Sequence, residues 1–398
     1  FNAQETWMIS VLFEDNILPA MMLMAEQLTV VAMSQVQIFG SFLDAKHQNE
    51  TQRLFQVLQA EAHKDYHPSV GMCEIGSATK SLAASERKGE YNAIVMSQRS
   101  LDRQLGSPNT SAVYGPGLDK GSRLRQFKQR YCDPWDQNNG LWELCRNTSP
   151  SNPPASSGGV LARRNFNKDI DYSRTVDFPW TLNVNFTNTA LSNEERDVLA
   201  LASNLYAHDV FERPNGELLG TPSGETIGSS LTEIQKAYLD VRALVAKRSV
   251  AETSFNSIVG MKSAGTGGSK QYLIALLKDL GVVDPASPTD DAATEAEIKE
   301  LLGGQDNRNP SYYAQMEVLT KKIYQNPKFY SNLYDKPANV MRKGVALQAI
   351  GLMQKFDMFK SYLRNEASMS ILLELAVAKE QSRVENELNK GGSSGITD

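Results

Sequence analysis

The sequence predicts a mainly α protein, a bundle of long helices with a small irregular, strand-bearing middle segment. Two stretches near the ends carry that prediction. From Thr6 to Ala62 apolar residues recur at steps of three and four, at Trp7, Val11, Leu18, Met21, Met24, Leu28, Val31, Phe39 and Leu43. Such spacing places them on one face of a helix, and that face needs a partner. From Pro337 to Lys390 a second seam runs through Val345, Ala349, Leu352, Phe356, Phe359, Leu363, Leu373, Val377 and Val384. Its alternating steps of four and three are those of a left-handed coiled coil. Glu366 and Ser370 interrupt it, which points to a helix packed in a bundle rather than an autonomous coiled coil. The third observation is the middle stretch, Asp171 to Phe186, where apolar and polar residues alternate as in a strand and Pro179 confines that strand to an edge or a hairpin.

The remaining elements follow in order. Pro68 ends the first helix, because proline disfavours helix at the residue before it. A second helix is expected from Cys73 to Leu105, returning antiparallel along the first. Gly106 to Gly121 reads as loop, and Ser122 to Tyr131 as a short basic helix. Arg146 to Gly159, rich in Ser, Pro and Gly, cannot bury apolar area and reads as an exposed linker. Ser192 followed three residues later by Glu195 has the form of a capping box. Helices are expected at Ser230 to Lys262, Lys270 to Leu280, Thr294 to Leu302 and Ser311 to Gln325. The domain division that results is 1–145, 146–190, 191–390 and a flexible tail at 391–398. The seam of the first helix has two candidate covers, the return helix and the C-terminal helix. Met21, Met22, Met24 and Met33 fall mainly on that seam and read as core in preference to an adaptable partner surface.

Composition bounds the function. The chain has 398 residues, 41% of them hydrophobic, and a net charge of -5. That is enough for a sizeable core, and it lacks the clustered basic residues on which nucleic-acid binding rests. Ile17 to Leu43 carries one formal charge, Glu26. Gln27, Ser34, Gln37 and Ser41 mark a polar stripe through it, so a soluble amphipathic helix is favoured; membrane association stays open, without a span. Cys132 and Cys145 bracket a turn-rich loop with Pro134 and Asn139-Gly140, which can bring the sulfurs together into a disulfide worth about 3 kcal/mol. Such a bond implies an oxidising compartment. A start at Phe1 instead of Met agrees with a removed secretory signal and a periplasmic or extracellular location. The alternative is two buried free thiols, and Cys73 is left without an assigned partner. Trp135 and Trp142, held on the stapled loop, are candidate partner-binding anchors, with burial beneath the loop as the alternative.

Catalytic patterns are not found. His63 and His67 share a helix face and could hold a metal with Asp65 or Cys73, but Lys64 stands where a zinc protease of the His-Glu-x-x-His type needs glutamate. Gly260 to Lys270 lacks the Gly-Lys-Ser/Thr order of a phosphate-binding loop and reads as a flexible interhelix loop. No catalytic, cofactor or metal residues are therefore assigned.

The Met-rich opening helix, the Gly71-Met-Cys-Glu-Ile75 turn, the Tyr131-Cys-Asp-Pro134 to Leu144-Cys145 clasp and the Asn309-Pro-Ser-Tyr-Tyr-Ala-Gln-Met-Glu317 helix together resemble a periplasmic helical component of bacterial type IV secretion and conjugation machines, VirB5-like or Dot/Icm-associated. The resemblance is one of architecture. It implies a non-enzymatic, exported assembly protein that docks other apparatus proteins through its helices and forms homo-oligomers. The rival expectation is a cell-envelope hydrolase with a carboxylate or histidine site.

Overall fold

A computed structural model describes residues 1–67, 70–146, 164–188, 190–220, 231–279, 308–322, 324, 327–334 and 336–393. The fold is mainly α. The expected linker and the helix at Thr294 to Leu302 lie outside the described residues. By its internal contacts the chain divides into two units, Phe1–Pro68 with Lys336–Asn339, and Ser69–Asp335 with Val340–Asp398.

Residues 1–67 of the first unit form a single rod. A short α-helical turn, Asn2–Thr6, runs through a π-wound stretch, Trp7–Ile17, into helix α1, Leu18–Tyr66. Pro19 falls where the π winding gives way to α1. His67, just before Pro68, turns to an extended conformation with ψ 121° and stops the helix as expected. The core assignment of the methionine face is corrected here. No residue of α1 is buried, and Met21, Met22, Met24 and Met33 are all exposed.

The second unit is built on helix α2, Val70–Gln104, and helix α6, Glu233–Lys262, with α3 at Pro116–Arg130, α4 at Trp142–Arg146 and α5 at Asn193–Leu205 between them in sequence. Helices α7, Ser269–Asp279, and α8, Tyr312–Glu317, follow, and helix α9 runs from Pro337 to Ser393. The capping box at Ser192 is present, with the Ser192 side chain accepting from the Glu195 N–H and Glu195 accepting in return from the Ser192 N–H. A second box at Thr232 and Gln235 starts α6.

Among the described residues two apolar cores result. One gathers Ala78 and Leu82 of α2 with Leu273, Tyr312, Val318, Leu319 and Ile350. The other gathers Met96, Val176, Leu182, Val184, Phe186, Val198, Leu201, Phe255 and Val259. Gly89 and Gly260 let the backbones of α2 and α6 touch where they cross.

The expected strand is absent among the described residues, and the reason is specific. Leu182, Val184 and Phe186 do point alternately into the core, so the period of two is real. Leu182 N–H donates to the Lys262 carbonyl, but the next backbone donors along the stretch go to side chains. Asn183 N–H donates to Glu194 Oε2 at 2.7 Å, Asn185 N–H to Glu195 Oε1, and Phe186 N–H to Asn92 Oδ1 at 3.1 Å. An isolated parallel bridge, Leu182 to Ser263, is the nearest approach to a sheet. Ser173–Asp177, upstream of it, is a π-wound turn.

The glycine-rich joint is also corrected. Far from a loose loop, Gly265 is packed so tightly that a Cβ there would meet Pro310 O and Ser85 Oγ. Its carbonyl accepts from Lys88 Nζ at 2.8 Å and its N–H donates to Asn309 O.

Candidate functional site

Three features could carry function: the clasp, the exposed helix faces and a polar cavity. The clasp is closed. Cys132 and Cys145 form a disulfide and both are buried. Its base is tied to α5 through the neighbouring Tyr131, whose hydroxyl donates to Asp197 Oδ1 at 2.9 Å. Arg130 pairs with the same carboxylate, and Lys168 approaches it at 3.5 Å. Burial, with the Asp197 charge beside it, pushes the Tyr131 phenol well above its usual range.

Within the clasp the chain reverses through Gln137, Asn138 and Asn139, all left-handed with φ between 54° and 66°. Asn tolerates that region readily and Gln less so. Gly140 itself, at φ -67°, needs no special freedom. Trp135 and Trp142 are 49% and 43% exposed, so neither is buried beneath the loop. Cys73 is a free, exposed thiol.

The second feature is the orientation of α9. One side of it lies on the second unit. Ile350 enters a core, Asp357 Oδ2 accepts from Tyr312 Oη, Lys360 Nζ bridges Glu86 and Glu90 at 2.8 Å each, and Glu374 lies 3.8 Å from Lys247. The heptad seam points elsewhere. Val345, Leu352, Phe356, Phe359, Leu363, Leu373, Val377 and Val384 are all exposed. A helix that uses one face for its own fold has therefore kept an apolar seam of coiled-coil period free.

The third feature is a cavity of about 960 Å³ between α2, α3, α5 and α6, lined among others by Met96, Arg103, Arg123, Asp169, Glu252 and Asn256. Two of its cations, Arg103 and Arg123, are engaged structurally. Arg103 grips buried Asp119 with two hydrogen bonds, 2.9 and 2.7 Å, and Arg123 donates to Asn204 Oδ1, to the His208 carbonyl and, at 3.1 Å, to His208 Nδ1. Since Arg can only donate, that ring nitrogen is the acceptor and Nε2 carries the proton. Burial raises the carboxyls of Asp169 and Glu252, against hydrogen bonds that oppose the rise. Asp169 Oδ1 and Asn256 Nδ2 are buried with no hydrogen-bond partner, which marks the cavity as polar and able to hold water or a small polar molecule.

Among the described residues no three His, Cys, Asp or Glu side chains come together as a metal site. His63 and His67 stand at the exposed end of α1. The cavity was not readable from sequence, because its members meet only in the fold: Arg123 reaches Asn204 and Asn204 reaches the Asp169 carbonyl. No family model, no curated protein and no solved structure matches this chain.

Proposed function

We propose that this is a non-enzymatic, exported assembly protein of a bacterial secretion or conjugation apparatus, working by docking helices of other components and of its own copies. One observation carries the reading: α9 packs on the second unit through Ile350, Asp357 and Lys360 while its heptad seam stays exposed. An apolar seam of that period is covered best by a second helix of the same period. The disulfide fits passage through an oxidising compartment. The exposed Trp135 and Trp142 supply a second contact point of the type that anchors interfaces.

The reading is tested in native cells by fractionation followed by crosslinking and mass spectrometry. The expected result is an exported protein with oxidised Cys132 and Cys145, and crosslinks from Lys355 or Lys379, on α9, to other chains. A cytoplasmic protein with all thiols free would overturn it.

The hydrolase alternative has one supporting feature, the raised carboxyls of Asp169 and Glu252 in the polar cavity. Against it, the nearby Arg103 and Arg123 are already held by protein partners. Envelope-degrading activity lost in Asp169→Asn or Glu252→Gln, with the fold intact, would favour it over docking.

A further inference from the structure

The apolar part of α1 is a different kind of surface from the seam of α9. Ile17 to Leu43 includes an 18-residue window of mean hydropathy 1.5, and none of that window is buried. Glu26 is the one charged residue between Asp15 and Asp44. At 100° per residue, Met21, Leu28 and Phe39 share one side of the helix, while Leu23 and Val30 lie on the opposite side, among Ser34, Gln37 and Ser41. Met33 and Val36 fill the flank between. All seven of these apolar side chains are exposed, and Phe42 reaches 74%.

A helix that is apolar round most of its circumference is covered in a protein core or in a bilayer, whereas one apolar stripe suits a single partner helix. A second copy laid along Met21 and Leu28 would leave Leu23 and Val30 in water. Length points the same way. About 27 residues from Ile17 to Leu43 span ~40 Å as a helix, which exceeds the ~30 Å hydrocarbon core with room for tilt. Charges return abruptly on both sides, with Glu14 and Asp15 before the stretch and Asp44, Lys46 and Glu50 after it. Insertion breaks no core, because the rod contributes no buried residue.

We infer that residues 17–43 cross a lipid bilayer once and anchor the second unit to a membrane. The narrow polar stripe through Gln27, Ser34 and Ser41, at steps of seven, is the side on which spans contact one another through small and polar residues. A single Glu26 is tolerated within such a span. This inference rests on the exposure and composition of α1, and it stands or falls independently of the secretion reading.

The test uses the full chain, purified in mild detergent and exchanged into vesicles of phosphatidylethanolamine and phosphatidylglycerol. The protein should float with the vesicles and stay with them through washes in high salt and in alkaline carbonate. Protease added outside should leave a protected fragment that contains residues 17–43. The double variant Leu23→Asp, Val30→Asp should drop at least tenfold in the floated fraction. Near-UV circular dichroism and an intact Cys132–Cys145 bond would show that its second unit is folded, and Glu26→Gln should float at least as well as the parent. Release by salt or carbonate, no protected fragment, or a lipid-free oligomer that stays at the bottom of the gradient would overturn the span.

Discussion

Gly89 of α2 and Gly260 of α6 face each other so closely that a Cβ on Gly89 would lie 2.5 Å from the Gly260 carbonyl oxygen. The reverse substitution would place a methyl group against Gly89 O. The two helices therefore meet backbone to backbone, and the second core, with Phe255 and Val259 of α6 beside Met96 of α2, is set by that approach. Gly89→Ala should destabilise the second unit by about 1–3 kcal/mol, the usual cost of forcing extra volume into a packed contact. A urea midpoint unchanged from the parent would show that the crossing can open without cost.

The clasp closes a loop over a sequence separation of 13. In the chain-entropy model a loop of this size gives about 3 kcal/mol. Replacing Cys132 and Cys145 together by Ala should lower the denaturation midpoint by that order. Tyr131 and Arg130 remain tied to Asp197, so α3 should keep its place. The loss should appear as local protease cutting near Trp135 before global unfolding. Equal melting of reduced and oxidised protein would refute this.

Two kinds of buried carboxylate give opposite pH behaviour. For Asp119, burial alone raises the pKa, but hydrogen bonds from Arg103 and Ser111 outweigh it and hold the carboxyl below its usual range. A folded value below the unfolded one means stability that is full above the unfolded pKa of about 3.9 and is lost as pH falls through the native value. Arg103→Ala strands the buried charge and should cost about 3–5 kcal/mol at neutral pH, less in acid.

Glu252 runs the other way, since burial raises its folded pKa in spite of hydrogen bonds from Ser100 and Gln104. The folded state then holds its proton more tightly than the unfolded chain, so stability falls as pH rises from the unfolded value towards the native one. Glu252→Gln keeps an acceptor for Gln104 and removes the buried ionisation. It should match the parent below about pH 4 and gain on it above, by up to about 1.4 kcal/mol for each pH unit in that window. Parallel stability curves across pH 4 to 8 would contradict the assignment.

The helices were legible because their signals are local. Periodicity located α2, α6 and α9 to within a few residues, Ser192 and Glu195 announced the start of α5, and the turn residues between Cys132 and Cys145 announced the clasp. What escaped depends on residues distant in sequence. The alternation at Leu182, Val184 and Phe186 is the same whether the partner is a strand or, as here, the side chains of Asn92, Glu194 and Glu195. A glycine-rich joint reads as loose until Pro310 and Ser85 are placed against Gly265. The methionines of α1 show the limit of periodicity itself. It identifies a face and leaves open what covers it.

The two faces of α9 make a paired prediction. Ile350 is buried in a core with Leu82 and Tyr312, so Ile350→Ala should cost about 2–5 kcal/mol, the range for truncating a buried aliphatic side chain. Leu363 lies on the exposed seam, where Leu363→Asp removes no packing within the chain and should change stability by no more than about 0.5 kcal/mol. The same substitution puts a carboxylate in the middle of a coiled-coil seam, where a charge is desolvated on association. Crosslinking through Lys355 or Lys379 to other chains should therefore fall sharply in Leu363→Asp, while its melting temperature stays at the parental value. A Leu363→Asp protein that melts several degrees lower would show that the seam is covered from within the chain. One that crosslinks as strongly as the parent would show that docking does not use α9.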